Sequence, residues 1–247
     1  MSGTAPSTDE IRGRLAEIYR RIEESARRAG RDPAEITLIA VSKTHPPDLL
    51  RRAIEAGAKH LGENRVQEAD WKILELGRDA VSWHLIGHLQ ANKARRAVML
   101  FDAIHSLDSA SLARRLDRLC KEVGREELAV LIQVDLGDEA TKSGVSESEL
   151  QDVVAAIRGC ERLRLTGLMT LPPFSSDLEL VRPYFRRLRE LRDALKVQQA
   201  FGARRGELSM GMSHDYSVAI EEGATFVRIG TAIFGERQQG IQSRIVD

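Results

Sequence analysis

Lys43 closes an apolar run rich in β-branched residues, Ile36-Thr-Leu-Ile-Ala-Val-Ser-Lys43, which continues as Thr-His-Pro46. Such a run reads as a buried strand that turns into a helix. Side chains alternate along a strand, so Thr37, Ile39, Val41 and Lys43 share one face while Ile36, Leu38, Ala40 and Ser42 share the other. A lysine at the mouth of such a core is either a partly desolvated amine, suited to imine chemistry or anion binding, or a residue that snorkels out to water. Near the other end of the chain, Ser209-Met-Gly-Met-Ser213 and Arg228-Ile-Gly-Thr-Ala232 place Gly211 and Gly230 where two strands should exit. Glycine there lets backbone approach a ligand, N–H groups at a helix start hold a phosphate, and Ser209, Ser213 and Thr231 add hydroxyls. Arg228 interrupts the apolar Phe226-Val-Arg-Ile229. It either pairs with a carboxylate at the sheet end or turns a permanently charged fork toward a heteroaromatic nitrogen or an anionic substituent.

Other polar side chains gather at predicted strand ends: Asn64, His84, Ser106 and Lys142. His84, between Trp83 and Leu85, reads as a core histidine or as an acid/base group. His84 and His88 are four residues apart, but Gly87 and the strand exit argue against the helical geometry of a zinc pair, and no nearby carboxylates complete a ligand set.

These residues need a scaffold that brings strand ends together, and the chain supplies one. Eight apolar runs are centred near residues 39, 60, 84, 104, 131, 166, 208 and 227, with helical patterns between most neighbours. Ser7-Thr-Asp-Glu10 has capping-box spacing, and Ile11, Leu15, Ile18, Ile22, Ala26 and Ala29 follow at helical intervals up to Gly30. Pro46-Pro47 starts a second helix, and a third carries Trp71, Ile73, Leu74 and Leu76. Ser146-Glu-Ser-Glu149 repeats the capping-box pattern before Leu150. Alternating strands and helices imply parallel strands covered outside by helices, and eight units in 247 residues favour a closed (β/α)8 TIM barrel. In such a barrel the loops after strands seven and eight often form a phosphate cup, which is where both glycine turns fall. The expected organisation is one barrel domain over 1–247, with 1–30 forming a tail and an amphipathic helix. Ala53-Ile-Glu-Ala-Gly-Ala and Ala219-Ile-Glu-Glu-Gly-Ala echo each other as helix end, glycine cap and strand start, the transition a barrel reuses.

Composition narrows the classes. The 37 basic and 37 acidic residues cancel, so no global charge points to nucleic acid or to an anionic membrane. Pairs such as Arg114-Arg115 and Arg186-Arg187 fit solvated helix faces. No basic leader, apolar signal segment or membrane-length run occurs, and Cys120 and Cys160 are too few and too distant for a disulfide scaffold. The expected setting is cytoplasmic, with reduced thiols.

Several stretches together resemble the pyridoxal-phosphate homeostasis protein family: Ala40-Val-Ser-Lys-Thr44, Gly62-Glu-Asn64 with Val66-Gln-Glu68, Trp83-His-Leu-Ile-Gly-His-Leu-Gln-Ala-Asn-Lys93, Lys142-Ser-Gly144, Gly167-Leu-Met-Thr170, Ser209-Met-Gly-Met-Ser213 and Val227-Arg-Ile-Gly-Thr-Ala-Ile-Phe-Gly235. The resemblance implies a barrel like the N-terminal domain of fold-type III alanine racemases. It implies that Lys43 holds pyridoxal 5′-phosphate as an aldimine. Ser209, Gly211, Met212, Ser213, Gly230 and Thr231 would surround the phosphate, Arg228 would face the pyridine nitrogen, and Asn64 and His84 would border the ring and its hydroxyl. Recipient apoenzymes are the implied partners and a monomer the implied state. The family role is cofactor and amino-acid or keto-acid homeostasis without robust catalysis. A weak racemase and a cofactor-free Schiff-base aldolase are the alternatives. Racemases of this type use a catalytic tyrosine, and none of Tyr19, Tyr184 and Tyr216 has a clear counterpart role. Two departures stand out: His88 where the family has a Pro-like position, and His214 where an acidic residue is common. The second suits a phosphate loop whose affinity depends on pH; an unchanged affinity in His214→Asp across the histidine range would refute that expectation.

Overall fold

Short apolar runs without room for a helix become the strands of a computed structural model, which describes residues 5–137 and 143–235. The strands are β1 Thr37–Val41, β2 His60–Glu63, β3 Ser82–Leu85, β4 Ala103–Leu107, β5 Leu128–Gln133, β6 Leu163–Met169, β7 Glu207–Met212 and β8 Phe226–Ile229. All pair in parallel in sequence order, and β8 closes on β1 with Thr37 opposite Phe226 and Ala40 opposite Ile229. The barrel expected from the eight runs is thereby formed. Closure has one consequence for function: the exits of β7, β8 and β1 are neighbours, so Lys43 and both glycine turns face one mouth.

Helices cover the barrel: α1 Thr8–Arg28, α2 Pro47–Glu55, α3 Val66–Leu76, α4 Ala94–Leu100, α5 Ala110–Glu122, α6 Leu150–Arg158, α7 Arg182–Val197, α8 Tyr216–Glu221 and the short α9 Thr231–Phe234. The first begins with the expected capping box, in which Ser7 N donates to Glu10 Oε2 (2.7 Å) and Glu10 N donates to Ser7 Oγ (3.2 Å). Its buried stripe is Ile11, Leu15, Ile18, Ile22 and Ala26, roughly 2 kcal/mol of gross burial for each large member. The guanidinium of Arg31 then donates to Ile220 O (2.7 Å) and Ala224 O (2.8 Å), fastening the extra helix beside α8 and β8.

Two helices carry local detail that positions their neighbours. In α3 the core side is not the one containing Trp71 and Leu74, which are 45% and 83% exposed. Val66, Ala69 and Ile73 face inward, and their stripe carries Glu68 and Lys72 with it. The Ser146 pattern does make its bond, Ser146 N to Glu149 Oε2 at 3.0 Å, but it closes a turn ahead of α6, whose first regular residue is Leu150. Among the described residues no helix is long and apolar enough to cross a membrane. Cys120 and Cys160 are free thiols.

Candidate functional site

Lys43 follows β1 and is half-buried. The backbone on both sides of it is held by a charged cluster. The Lys72 ammonium, fully buried on α3, donates to Ser42 O (2.7 Å), Glu63 Oε1 (2.8 Å) and Glu68 Oε1 (2.6 Å). Ser42 Oγ donates to Glu63 Oε1 at 2.5 Å, and Thr44 N donates to Glu68 Oε1. Thr44 sits at φ 67°, a left-handed conformation that a β-branched residue adopts only under restraint. Lys72 thus grips the peptide before Lys43 directly and the peptide after it through Glu68. Burial pushes the Glu63 carboxyl up to about 7 against the opposing pull of Lys72, and its second oxygen is buried without a hydrogen-bond partner. Lys72 carries little signal in the sequence. Its spacing of four from Glu68 is the available signal, but that spacing ordinarily marks a solvent-exposed helix pair.

At the β7 exit Gly211 adopts φ +93°, and a Cβ there would stand 2.6 Å from the Ala219 methyl. Met212 N donates to Asp215 Oδ1 (2.5 Å), shaping the turn into α8. Ser213 Oγ accepts from Gly230 N at 3.4 Å and so joins the two glycine turns. Gly230 lies against β1, where an added Cβ would stand 3.2 Å from Val41 O. Thr231 opens α9 and is exposed at the mouth. The chain of contacts Ser213–Gly230–Val41 brings the two glycine turns to within two positions of Lys43 along the chain.

Arg228 is 3% exposed. Its Nη1 donates to Ser209 O and Ser209 Oγ, both at 2.7 Å, and its Nη2 donates to Thr170 O at 2.9 Å. Of the two readings of this arginine, a direct carboxylate pair is absent among its hydrogen bonds to described residues. Burial lowers its pKa to about 10, partly offset by Asp215, so it remains a cation near neutrality.

Asn64 is half-buried where β2 meets β3, with its backbone so close to Gly87 that a Cβ there would lie 2.3 Å from Asn64 O. Ser106 Oγ donates to Gly87 O (2.7 Å), tying the β4 end to the same loop. His84 is the next-to-last residue of β3. It lies inside the barrel with both ring nitrogens engaged, 3.1 Å from His60 Nδ1 and 3.0 Å from His105 Nε2, which favours the core reading over direct acid/base work. His88 is exposed with Nδ1 3.0 Å from Asp108 Oδ2, and His214 is exposed with Nε2 3.3 Å from Asp215 Oδ2. Lys142 lies outside the described residues. No group of three or more His, Cys, Asp or Glu among the described residues could hold a metal ion.

The family model for the alanine racemase N-terminal domain matches residues 14–238. A pyridoxal phosphate homeostasis protein of Aquifex aeolicus is 44% identical over 227 residues, covering 91% of this chain and 97% of that one. The chain belongs to the pyridoxal phosphate homeostasis protein family. Its Escherichia coli K12 member is 43% identical over 233 residues, covering 93% and 97% of the two chains. Among solved structures, PipY of Synechococcus elongatus PCC7942 with PLP bound is 39% identical, with TM-score 0.78 over 91% of this chain and 100% of PipY. Alanine racemase from Corynebacterium glutamicum shares the fold at 18% identity, TM-score 0.65, with 61% of that chain covered. The resemblance read from the seven stretches is therefore correct, as is the racemase-like barrel.

Proposed function

We propose that this protein binds pyridoxal 5′-phosphate covalently through Lys43 and holds it for intracellular cofactor homeostasis, with release to recipient apoenzymes. The observation that carries the reading is the meeting of a half-buried lysine with two glycine turns joined by the Ser213–Gly230 hydrogen bond and seated on Val41. The residues fit the group: an amine for the aldehyde, open backbone and hydroxyls for the phosphate, and a buried cation beyond. PipY, named as binding PLP in its crystal, supports the same assignment.

When bound, the cofactor supplies an aldehyde that reacts with amines and an aromatic ring that can withdraw electrons. The protein's own residues then decide how far that goes. Lys43 would hold the aldehyde end. Gly211, the Met212–Ser213 backbone, Ser209, Gly230 and Thr231 would hold the phosphate, and Asn64 would border the ring from the β2 exit. Arg228 would meet the ring nitrogen as a donor, which keeps a proton off that nitrogen and weakens the ring as an electron sink. Storage and exchange are favoured over carbanion chemistry. A monomeric, cytoplasmic carrier is the form in which this role operates. Titrating the purified protein with pyridoxal 5′-phosphate tests the reading: saturable one-to-one uptake with a visible band, then transfer to an added apoenzyme, is expected. Uptake no better in the wild type than in Lys43→Ala would overturn it.

A further inference from the structure

The barrel interior holds a line of polar side chains where barrels usually pack branched apolar layers. His60 opens β2 at the end of the barrel opposite the mouth and is half-buried; His84, His105, Ser209 and Arg228 are buried on β3, β4, β7 and β8. Each meets the next: His60 Nδ1 to His84 Nε2 at 3.1 Å, His84 Nδ1 to His105 Nε2 at 3.0 Å, His105 Nδ1 to Ser209 Oγ at 2.9 Å, and Ser209 Oγ to Arg228 Nη1 at 2.7 Å. Phe226 packs on the rings of His84 and His105, with centroids 5.8 and 5.3 Å away.

Hydrogen-bond chemistry gives this file one direction. A guanidinium has donors only, so Ser209 Oγ must accept from Arg228. The hydroxyl then has one hydrogen left, and His105 Nδ1 is the acceptor within reach. A bare Nδ1 puts the His105 proton on Nε2, from which it is donated to His84 Nδ1. His84 in turn carries its proton on Nε2 and donates to His60 Nδ1. The charge on Arg228 therefore fixes the tautomers of three histidines. Burial holds His84 down to about 3 and His105 well below the ordinary histidine range, and lowers His60 too, which keeps the rings neutral. Every acceptor end in the file points back toward Arg228, so the aligned dipoles stabilise a buried cation whose hydrogen bonds to described residues include no carboxylate.

We propose that His105, His84 and His60, acting through Ser209, are positioning residues for Arg228: they keep its guanidinium charged and aimed at the ring-nitrogen end of the cofactor pocket. The inference rests on the assignment of that pocket to pyridoxal 5′-phosphate. The file itself is tested without any ligand, by histidine side-chain 15N NMR of the cofactor-free protein. All three imidazoles should appear as neutral Nε2–H tautomers, and Ser209→Ala should release His105 into a mixture. Mixed tautomers in the wild type, or an unchanged spectrum in Ser209→Ala, would overturn the proposal.

A binding arm tests the consequence. His105→Phe keeps the packing on Phe226 and loses both hydrogen bonds, whereas His105→Gln accepts from Ser209 and donates to His84. The phenylalanine variant should bind pyridoxal 5′-phosphate about tenfold more weakly, the glutamine variant within about twofold of wild type. Neither should lose affinity for the analogue with carbon in place of the ring nitrogen. Equal losses for both ligands would mean a merely structural role and defeat the proposal. If the phenylalanine variant does not fold, the NMR arm and the glutamine rescue still decide. A wild type that takes up no cofactor but shows the single-tautomer pattern would sink the functional reading and leave the file standing.

Discussion

At the scale of single residues, Lys72 shows why burial matters more than charge type. Its three acceptors, Ser42 O, Glu63 and Glu68, are buried with it. Lys72→Met should leave two carboxylates facing each other and cost about 3–5 kcal/mol of stability in urea denaturation. Glu63→Gln added to it should recover part of that loss; no recovery would mean that the cluster is not electrostatically coupled. His84 supplies a pH prediction with a definite sign. Its folded pKa, about 3, lies below the ordinary 6.5, so the stabilisation is complete above 6.5 and is lost as pH falls from 6.5 toward 3. Between pH 7 and 5 the loss is about 2 kcal/mol from this residue, readable as the change in stability difference between wild type and His84→Gln; a difference that stays constant over that range would contradict it. Glu63 leans the other way, since its raised pKa removes stability as pH climbs from 4.5 through about 7. Much of this scale was illegible in the sequence. Lys43 and Arg228 announced themselves by interrupting apolar strand patterns, but Lys72, His60 and His105 acquire meaning only through contacts across elements that lie far apart in the chain.

Elements were more legible, because periodicity is local. The short apolar runs of the strands and the capping box at Ser7 can each be read in a ten-residue window, and both are present. The buried side of the third helix was not legible, because its large apolar residues stand on more than one side and the side that packs carries a buried ion pair. The glycine turns after β7 and β8 could be placed from the barrel order alone, whereas the Ser213–Gly230 hydrogen bond between them could not. Gly211→Ala tests the β7 turn. A methyl at φ +93° facing Ala219 at 2.6 Å should strain the backbone and lower stability by about 1–3 kcal/mol. If the turn holds the phosphate, the same change should weaken pyridoxal 5′-phosphate more than phosphate-free pyridoxal; an equal effect on the two would remove this turn from the site.

The whole molecule is a barrel whose likeness to alanine racemase is one of architecture, at 18% identity, while its likeness to pyridoxal phosphate homeostasis proteins runs through 91% of the chain at 44%. Architecture alone would leave racemisation open. The proposed role of Arg228 argues against it, since a donor-only partner, if it meets the ring nitrogen, would oppose the build-up of negative charge in the ring. Tyr19 lies on the outer helix α1, and Tyr216 is buried at the start of α8, neither on a strand exit. The cofactor-loaded protein should therefore exchange the α-hydrogen of amino acids in deuterated water no faster than free cofactor does; clear acceleration with any amino acid would restore the racemase alternative. The central claim, that Lys43 and the two glycine turns grip one molecule, is tested most directly by adding pyridoxal 5′-phosphate, reducing with borohydride and mapping the modified peptide. The modification should fall on Lys43, and inorganic phosphate in excess should suppress it; a label mainly on another lysine, or one indifferent to phosphate, would contradict the account.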